Sequence, residues 1–156
     1  MAFALLFVAG TTATYFSTRP RPSVDEQITR AFQSAKVAAQ KGDISGAVAV
    51  VSNRFKAGGV NKKRLRLLLF RARQEARGTD WVIDVAPPRV LPANPATPAE
   101  RLVVTRIVAR TGAGETLWST GDSPVTLLMR EEPGKTWGIF PRNDWRVVAA
   151  PGLPDF

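Results

Sequence analysis

The stretch SVDEQITRAFQSAKVAAQKGDISGAVAVVSNRFKAGG, residues 23–59, decides the fold class. Ser23-Val-Asp-Glu26 is a capping box, in which the Ser hydroxyl serves the amide at N3 and the Glu at N3 reaches back to the Ser amide. Val24, Ile28, Ala31, Phe32, Ala35 and Ala39 follow at helical spacing until Gly42 supplies a stop. Asp43 is placed to cap a short second helix through Ile44, Ala47, Val48 and Val51, ending near Ser52-Asn53. Phe55 is then an isolated anchor before Gly58-Gly59.

Working outward, a third helix is expected over residues 61–77, with Asn61 as cap and Val60 and Leu65 as a hydrophobic staple. Its core stripe reads Leu65, Leu68, Leu69, Ala72 and Ala76, and Lys62, Arg66, Arg73 and Arg77 fall on the opposite face. After Gly78 the period changes from helix to strand. Trp81, Ile83 and Val85 alternate with Val82 and Asp84, and Pro87, Pro88, Pro92, Pro95 and Pro98 make a loop that no central strand tolerates. Residues 101–110 read as one strand with Val103, Thr105, Ile107 and Ala109 on one face. Gly112-Ala-Gly114 turns the chain into Leu117-Trp118, Val125–Met129 is a further strand, and Pro133-Gly134 is a turn into Trp137–Phe140. A last strand covers Trp145–Ala149. Three helices followed by a meander predict an α+β fold in which the helices pack in a strongly curved antiparallel sheet, a cone.

Upstream, residues 1–18 (MAFALLFVAGTTATYFST) carry no charged side chain. As a helix they would span roughly 27 Å, about one hydrocarbon thickness. The segment lacks the basic start and small-x-small end of a cleaved signal peptide, so an uncleaved transmembrane anchor is the leading expectation, ahead of a signal peptide or a buried helix. Ala9 with Ala13 and Gly10 with Thr14 are small-xxx-small pairs suited to helix packing in the membrane, or simply to facing lipid. Arg19-Pro20-Arg21-Pro22 is a stiff linker over residues 19–22, followed by the domain at 23–150 and a tail at 151–156. Arg19, Arg21, Arg30 and Lys36 all follow the apolar segment, which puts the domain in the cytoplasm by the positive-inside rule. A missing short basic leader would reverse that side, and both sides stay open for a single-pass protein.

The chain of 156 residues has no cysteine and no histidine, which excludes disulfide scaffolds, thiolate metal sites and imidazole chemistry. Its net charge of +9 is uneven: residues 19–77 hold 14 basic and 4 acidic groups, residues 78–156 hold 8 and 9. Such asymmetry favours an acidic partner: anionic lipid, an acidic protein surface or nucleic acid.

The residues AAQKGD at 38–43, the short helix running into VSNRF at 51–55, Gly58-Gly59, the third helix and the meander together resemble the nuclear-transport-factor-2-like superfamily, with its SnoaL-like and ketosteroid-isomerase-like domains, over about residues 23–150. The resemblance implies a cone with an apolar pocket, often dimeric through the sheet, hosting enzymes, ligand binders and scaffolds alike. The five-proline loop departs from the family's usual short turn there, and is placed to close or reshape the mouth of the cone. Isomerase-type members use an Asp base with a Tyr or protonated-acid donor. Here Tyr15 is the only tyrosine and lies in the neutral segment, so a general base would have to be a carboxylate.

Asp84, inside an otherwise apolar strand, is the candidate base, because desolvation there would raise its pKa. The plainer reading turns it to solvent or toward an arginine such as Arg106. Glu100, Glu131 and Glu132 stand beside proline or turn signals, and no carboxylate set has metal-ligand spacing, so neither a metal nor a cofactor is expected. Lys62, Lys63, Arg66, Arg73 and Arg77 are the candidate contact to an anionic surface, against the plainer reading of a solvated face. Phe70 alone is no stacking platform, which argues against nucleic acid. Trp81, Trp118, Trp137 and Trp145 are expected mostly in the core, with any exposed strip a dimer or partner surface. The expectation is a membrane-anchored, non-catalytic binding or scaffolding module of the kind that serves as an accessory subunit, with a membrane protein as partner through the anchor. The alternatives are a SnoaL-like or isomerase-like enzyme with Asp84 as base, and a binder of anionic lipid or polymer through helix 61–77.

Overall fold

The computed structural model describes residues 22–75, 81–120, 123–136 and 140–151. The neutral segment 1–18, with Ala9, Gly10, Ala13 and Thr14, and also Arg77, lie outside them. Among the described residues no helix is long and apolar enough to cross a membrane.

Helix α1 (Val24–Gln40) starts at the capping box: the Ser23 hydroxyl accepts from the Glu26 amide, and the Glu26 carboxylate accepts from the Ser23 amide, each at 3.2 Å. It stops where Gly42 takes φ = +74°, a conformation open to glycine without a Cβ clash. The Asp43 carboxylate accepts from the Gly46 amide and caps α2 (Ile44–Ala47), after which a 3-10 turn covers Val48–Val50.

The next segment corrects the sequence reading. Val51–Ala57 is a strand, β1, rather than the end of a helix with an isolated Phe55. Val51, Ser52 and Phe55 are its buried residues, a spacing that hides the strand period. The cause is an irregularity in its pairing with the last strand, where Val51 faces Val147 but Lys56 faces Ala149. Gly58 and Gly59, both at positive φ, then make the two-residue reversal into β2 (Val60–Asn61). The Asn61 side chain accepts from the Arg64 amide and caps α3 (Lys62–Glu75).

Seven further strands follow: β3 (Trp81–Val85), β4 (Arg89–Val90), β5 (Glu100–Thr105), β6 (Ile107–Thr111), β7 (Thr116–Ser119), β8 (Val125–Thr136) and β9 (Phe140–Ala149). They form a six-stranded sheet in the order β2-β1-β9-β8-β5-β4 and a three-stranded sheet in the order β3-β6-β7. The larger sheet is mixed, not purely antiparallel, because β1 runs parallel to β9. Residues 101–110 are likewise not one strand: the chain breaks at Arg106 and passes from one sheet to the other. The opposing arm bends at the same level, where the Ala86 amide donates to the Arg106 carbonyl and the buried Thr105 hydroxyl donates to the Ala86 carbonyl. Pro87-Pro88 fits this corner because neither residue offers a ladder donor.

Pro133-Gly134 is not a turn. Both residues sit within β8, opposite Asn143 and Arg142, and the hairpin extends to Thr136 and Phe140. Strand β5 leaves β8 after Arg130, so Pro133 withholds its missing N–H from no neighbour on that side.

Helix α1 joins the two sheets. Its Ile28 and Phe32 pack on the larger one with Val51, Phe55, Val103, Leu127, Met129, Trp145 and Val147. Toward its C-terminus, Ala39 packs on Ile83 and Ala109 of the smaller one, a small residue where helix and sheet come close.

Candidate functional site

The interior of the curved sheet is occupied by side chains. Ile28, Val103 and Met129 have no exposed surface, and Phe32, Phe55 and Trp145 are buried in the same cluster. Of the four tryptophans, Trp145 is the one whose side chain the described residues include, and it is buried.

Asp84 lies at the rim of this arrangement, not in the interior. Its carboxylate is half exposed, with Lys36 Nζ at 3.9 Å and Arg110 Nη1 at 3.5 Å. The partners are thus Arg110, diagonally across β6, and Lys36 on α1, while Arg106 sits exposed at the sheet corner. Asp84 is thus a solvated carboxylate between two cations, not the desolvated acid of an apolar interior. Asp84→Asn is expected to change unfolding free energy by less than about 1 kcal/mol, as for exposed ion pairs. Urea denaturation checks this, and a loss above about 2 kcal/mol would mark a buried anchor instead.

The basic helix divides in a way its sequence pattern does not reveal. Arg66 Nη2 donates to the Ser45 hydroxyl at 3.0 Å, and the Arg73 guanidinium lies over Gly42, where a Cβ would meet it at 2.8 Å. These two cations therefore tie α3 to the end of α1 and to α2. Lys62 is half-buried, and its pKa is lowered by that burial and then by Arg146, with Glu132 opposing. Lys63 remains exposed on the outward side. Leu68, expected in the core stripe, is exposed, as are Leu67 and Phe70.

A polar network runs along β8 and β9. Asp144 forms an ion pair with Arg142 Nε at 2.7 Å and accepts from Arg146 Nη2 at 3.3 Å, and its carboxylate occupies the space that a side chain at Gly134 would need. Gly134 is thus required by a close approach rather than by a turn. Ser52, fully buried, donates to Glu132 Oε1 at 2.7 Å and accepts from the Arg54 amide at 3.0 Å. Arg146 Nε is buried without a hydrogen-bond partner among the described residues.

Beside this network lies an open groove of about 870 Å³. One wall is α1, through Gln27, Arg30, Ala31, Ser34 and Ala35; the other is β9 from Arg142 to Arg146, with Glu131 of β8. Gly46, Ala49 and Val50 also line it, as does Pro22, just before α1. The edge of β9 is open there because β1 joins it only at Val147. Ala31 and Ala35, read from sequence as core, are half-buried groove residues whose small size keeps the helix surface back. Three arginines against Glu131 and Asp144 suit recognition of a polar or anionic group beside Trp145. Among the described residues no three carboxylates converge to hold a metal ion.

Sequence reasoning missed the groove. The signal available was the alternation Arg142, Asp144, Arg146 about Trp145, which marks a strand carrying opposite charges on one face. Reading Pro133-Gly134 as a turn started the last strand at Trp145 and left that alternation outside it.

No protein-family model matches the chain, and no curated protein matches it in sequence. Solved structures do. Bd1075 of Bdellovibrio bacteriovorus superposes with a TM-score of 0.55 at 13% identity, covering 83% of this chain but 40% of that one. A cystatin-like-fold protein of unknown function from Nostoc punctiforme gives 0.52 at 13% identity, covering 87% and 98%. A nuclear-transport-factor-2-like protein of unknown function from Pseudomonas putida gives 0.51 at 14% identity, covering 81% and 82%. The described domain therefore has the cystatin-like, nuclear-transport-factor-2-like fold.

Proposed function

We propose that the chain is a membrane-anchored, non-catalytic binding module that receives a partner at the groove between α1 and β9. The observation that carries this reading is the groove itself, an opening between α1 and β9 lined by charged and polar side chains and reaching Pro22, beside a cluster of buried apolar side chains. The solvated, doubly paired Asp84 supports a structural role for the candidate base. Anchoring is supported by the uncharged residues 1–18 and the Arg-Pro-Arg-Pro linker. Four residues at full extension would reach about 12 Å, a tether short enough to hold Pro22 and the groove it lines close to the bilayer surface, which favours a partner that is itself membrane-associated.

The test uses membranes bearing the full chain, washed at high salt, with a photo-crosslinking residue at Ser34 in the groove wall or at Ala96 in the exposed proline loop. The chain is expected to stay with the membrane and to give a discrete adduct from position 34 alone. That adduct should survive Asp84→Asn and be lost with Arg142→Ala and Arg146→Ala together. Release by salt would argue against a spanning segment, and equal adducts from both positions would sink the groove as the binding site.

A further inference from the structure

Helix α3 carries an outward face that nothing among the described residues covers. Lys63, Leu67 and Phe70 follow one another at i, i+4 and i+7, and Arg71 stands beside Leu67. Leu67 is 48% and Phe70 52% exposed, next to Leu68 at 38%. Exposed leucine and phenylalanine in contiguous positions are unusual on a solvated surface. Of the other cations of the helix, Arg66 turns to Ser45, Arg73 lies over Gly42 and Lys62 is half-buried, while Arg64 is exposed like Lys63 and Arg71 and adds to the positive charge of the outward side.

We infer that this face docks on an anionic bilayer, Leu67 and Phe70 entering the boundary between headgroups and acyl chains while Lys63 and Arg71 meet lipid phosphates. Charge decides the occupant. A second copy, packed by a two-fold axis on the same face, would set Lys63 and Arg71 against their own counterparts. The neutral segment 1–18 would cover the apolar residues but leave the cations unanswered. An anionic lipid surface satisfies both parts, in the manner of interfacial amphipathic helices. The lever is the local excess of charge: residues 19–77 hold 14 basic groups against 4 acidic ones, and the sole acid within α3 is Glu75 at its end. The inference rests on the membrane attachment proposed above for its tether, which holds the domain within reach of the surface.

Because the chain has no cysteine, a single introduced thiol reports its own position. The full chain is prepared as Leu67→Cys, Phe70→Cys or, as a remote control, Ala96→Cys, each carrying an environment-sensitive dye, and incorporated in vesicles of phosphatidylcholine alone or with phosphatidylglycerol. Labels at 67 and 70 should shift to the blue and be quenched by acyl-chain nitroxides in the anionic vesicles, while the label at 96 stays in water. High salt should reverse the shift without releasing the chain. Replacing Lys63 and Arg71 by Gln should lower the docked-to-undocked ratio by roughly fivefold per cation. Co-flotation with both vesicle types, with labels at 67 and 70 as aqueous as the one at 96, overturns the docking and leaves the anchor standing. Flotation with anionic vesicles only, with 67 and 70 quenched, supports the docking and removes the anchor. Flotation with neither overturns both.

Discussion

Phe32→Ala is expected to destabilise the domain by about 3–5 kcal/mol, the range for truncating a buried aromatic side chain. The ring retains 5% exposure and belongs to the one cluster that joins α1 to the larger sheet, with Ile28 beside it on the helix and Phe55, Met129 and Trp145 among the sheet residues. Alanine there leaves a void that close-packed neighbours fill only in part. Against a total stability of about 5–15 kcal/mol, the loss is a large fraction. In urea the midpoint should fall with little change in slope, and Phe32→Leu should recover much of the difference. A cost below about 1 kcal/mol would mean that the helix does not seat through this ring.

Phe32 was legible in the sequence because everything that places it is local. The cap at Ser23, the period of α1 and the stop at Gly42 lie within one turn of the residues they control. Strand β1 was not legible, since its irregular pairing with β9 moves the buried positions off an alternating pattern. Pro133-Gly134 misled for a different reason. Proline and glycine usually mark reversals, but here β5 has already left the ladder at Pro133 and Asp144 needs the space at Gly134.

Helix α3 shows a third kind of limit. Leu67-Leu68-Leu69-Phe70 places apolar residues around the whole helix, so periodicity alone cannot choose which of them face inward. Cations on a helix suggest its outer side, yet long arginine stems reach sideways along neighbouring elements, as Arg66 and Arg73 do. The groove was least legible of all. It is assembled from α1, the turn at 46–50 and strands about a hundred residues later, and no window of sequence contains it. Asp84 was legible as a strand residue with a cationic neighbour, but only the register of β3 on β6 names Arg110 as that neighbour.

Trp145 connects the core to the groove, and Trp145→Ala is the second substitution expected to cost about 3–5 kcal/mol. Its side chain is 6% exposed and shares the Phe32 cluster, while the Arg101 guanidinium lies 5.4 Å above the ring. Combined with Phe32→Ala, the loss should differ from the sum of the two, because both rings belong to one packed cluster that relaxes as a unit. Trp145→Phe keeps an aromatic volume and a face for Arg101, and should restore most of the stability, short of about 1 kcal/mol for the weaker cation–π contact. That variant also separates packing from binding. The phenyl ring preserves the strand that holds Arg142, Asp144 and Arg146, so a groove that depends on Trp145 only for shape should still give the adduct from position 34. Loss of the adduct in a Trp145→Phe protein of near-native stability would assign the indole itself to the partner contact. An unchanged midpoint for Trp145→Ala would remove Trp145 from the core and with it the rigid wall on which the groove reading depends.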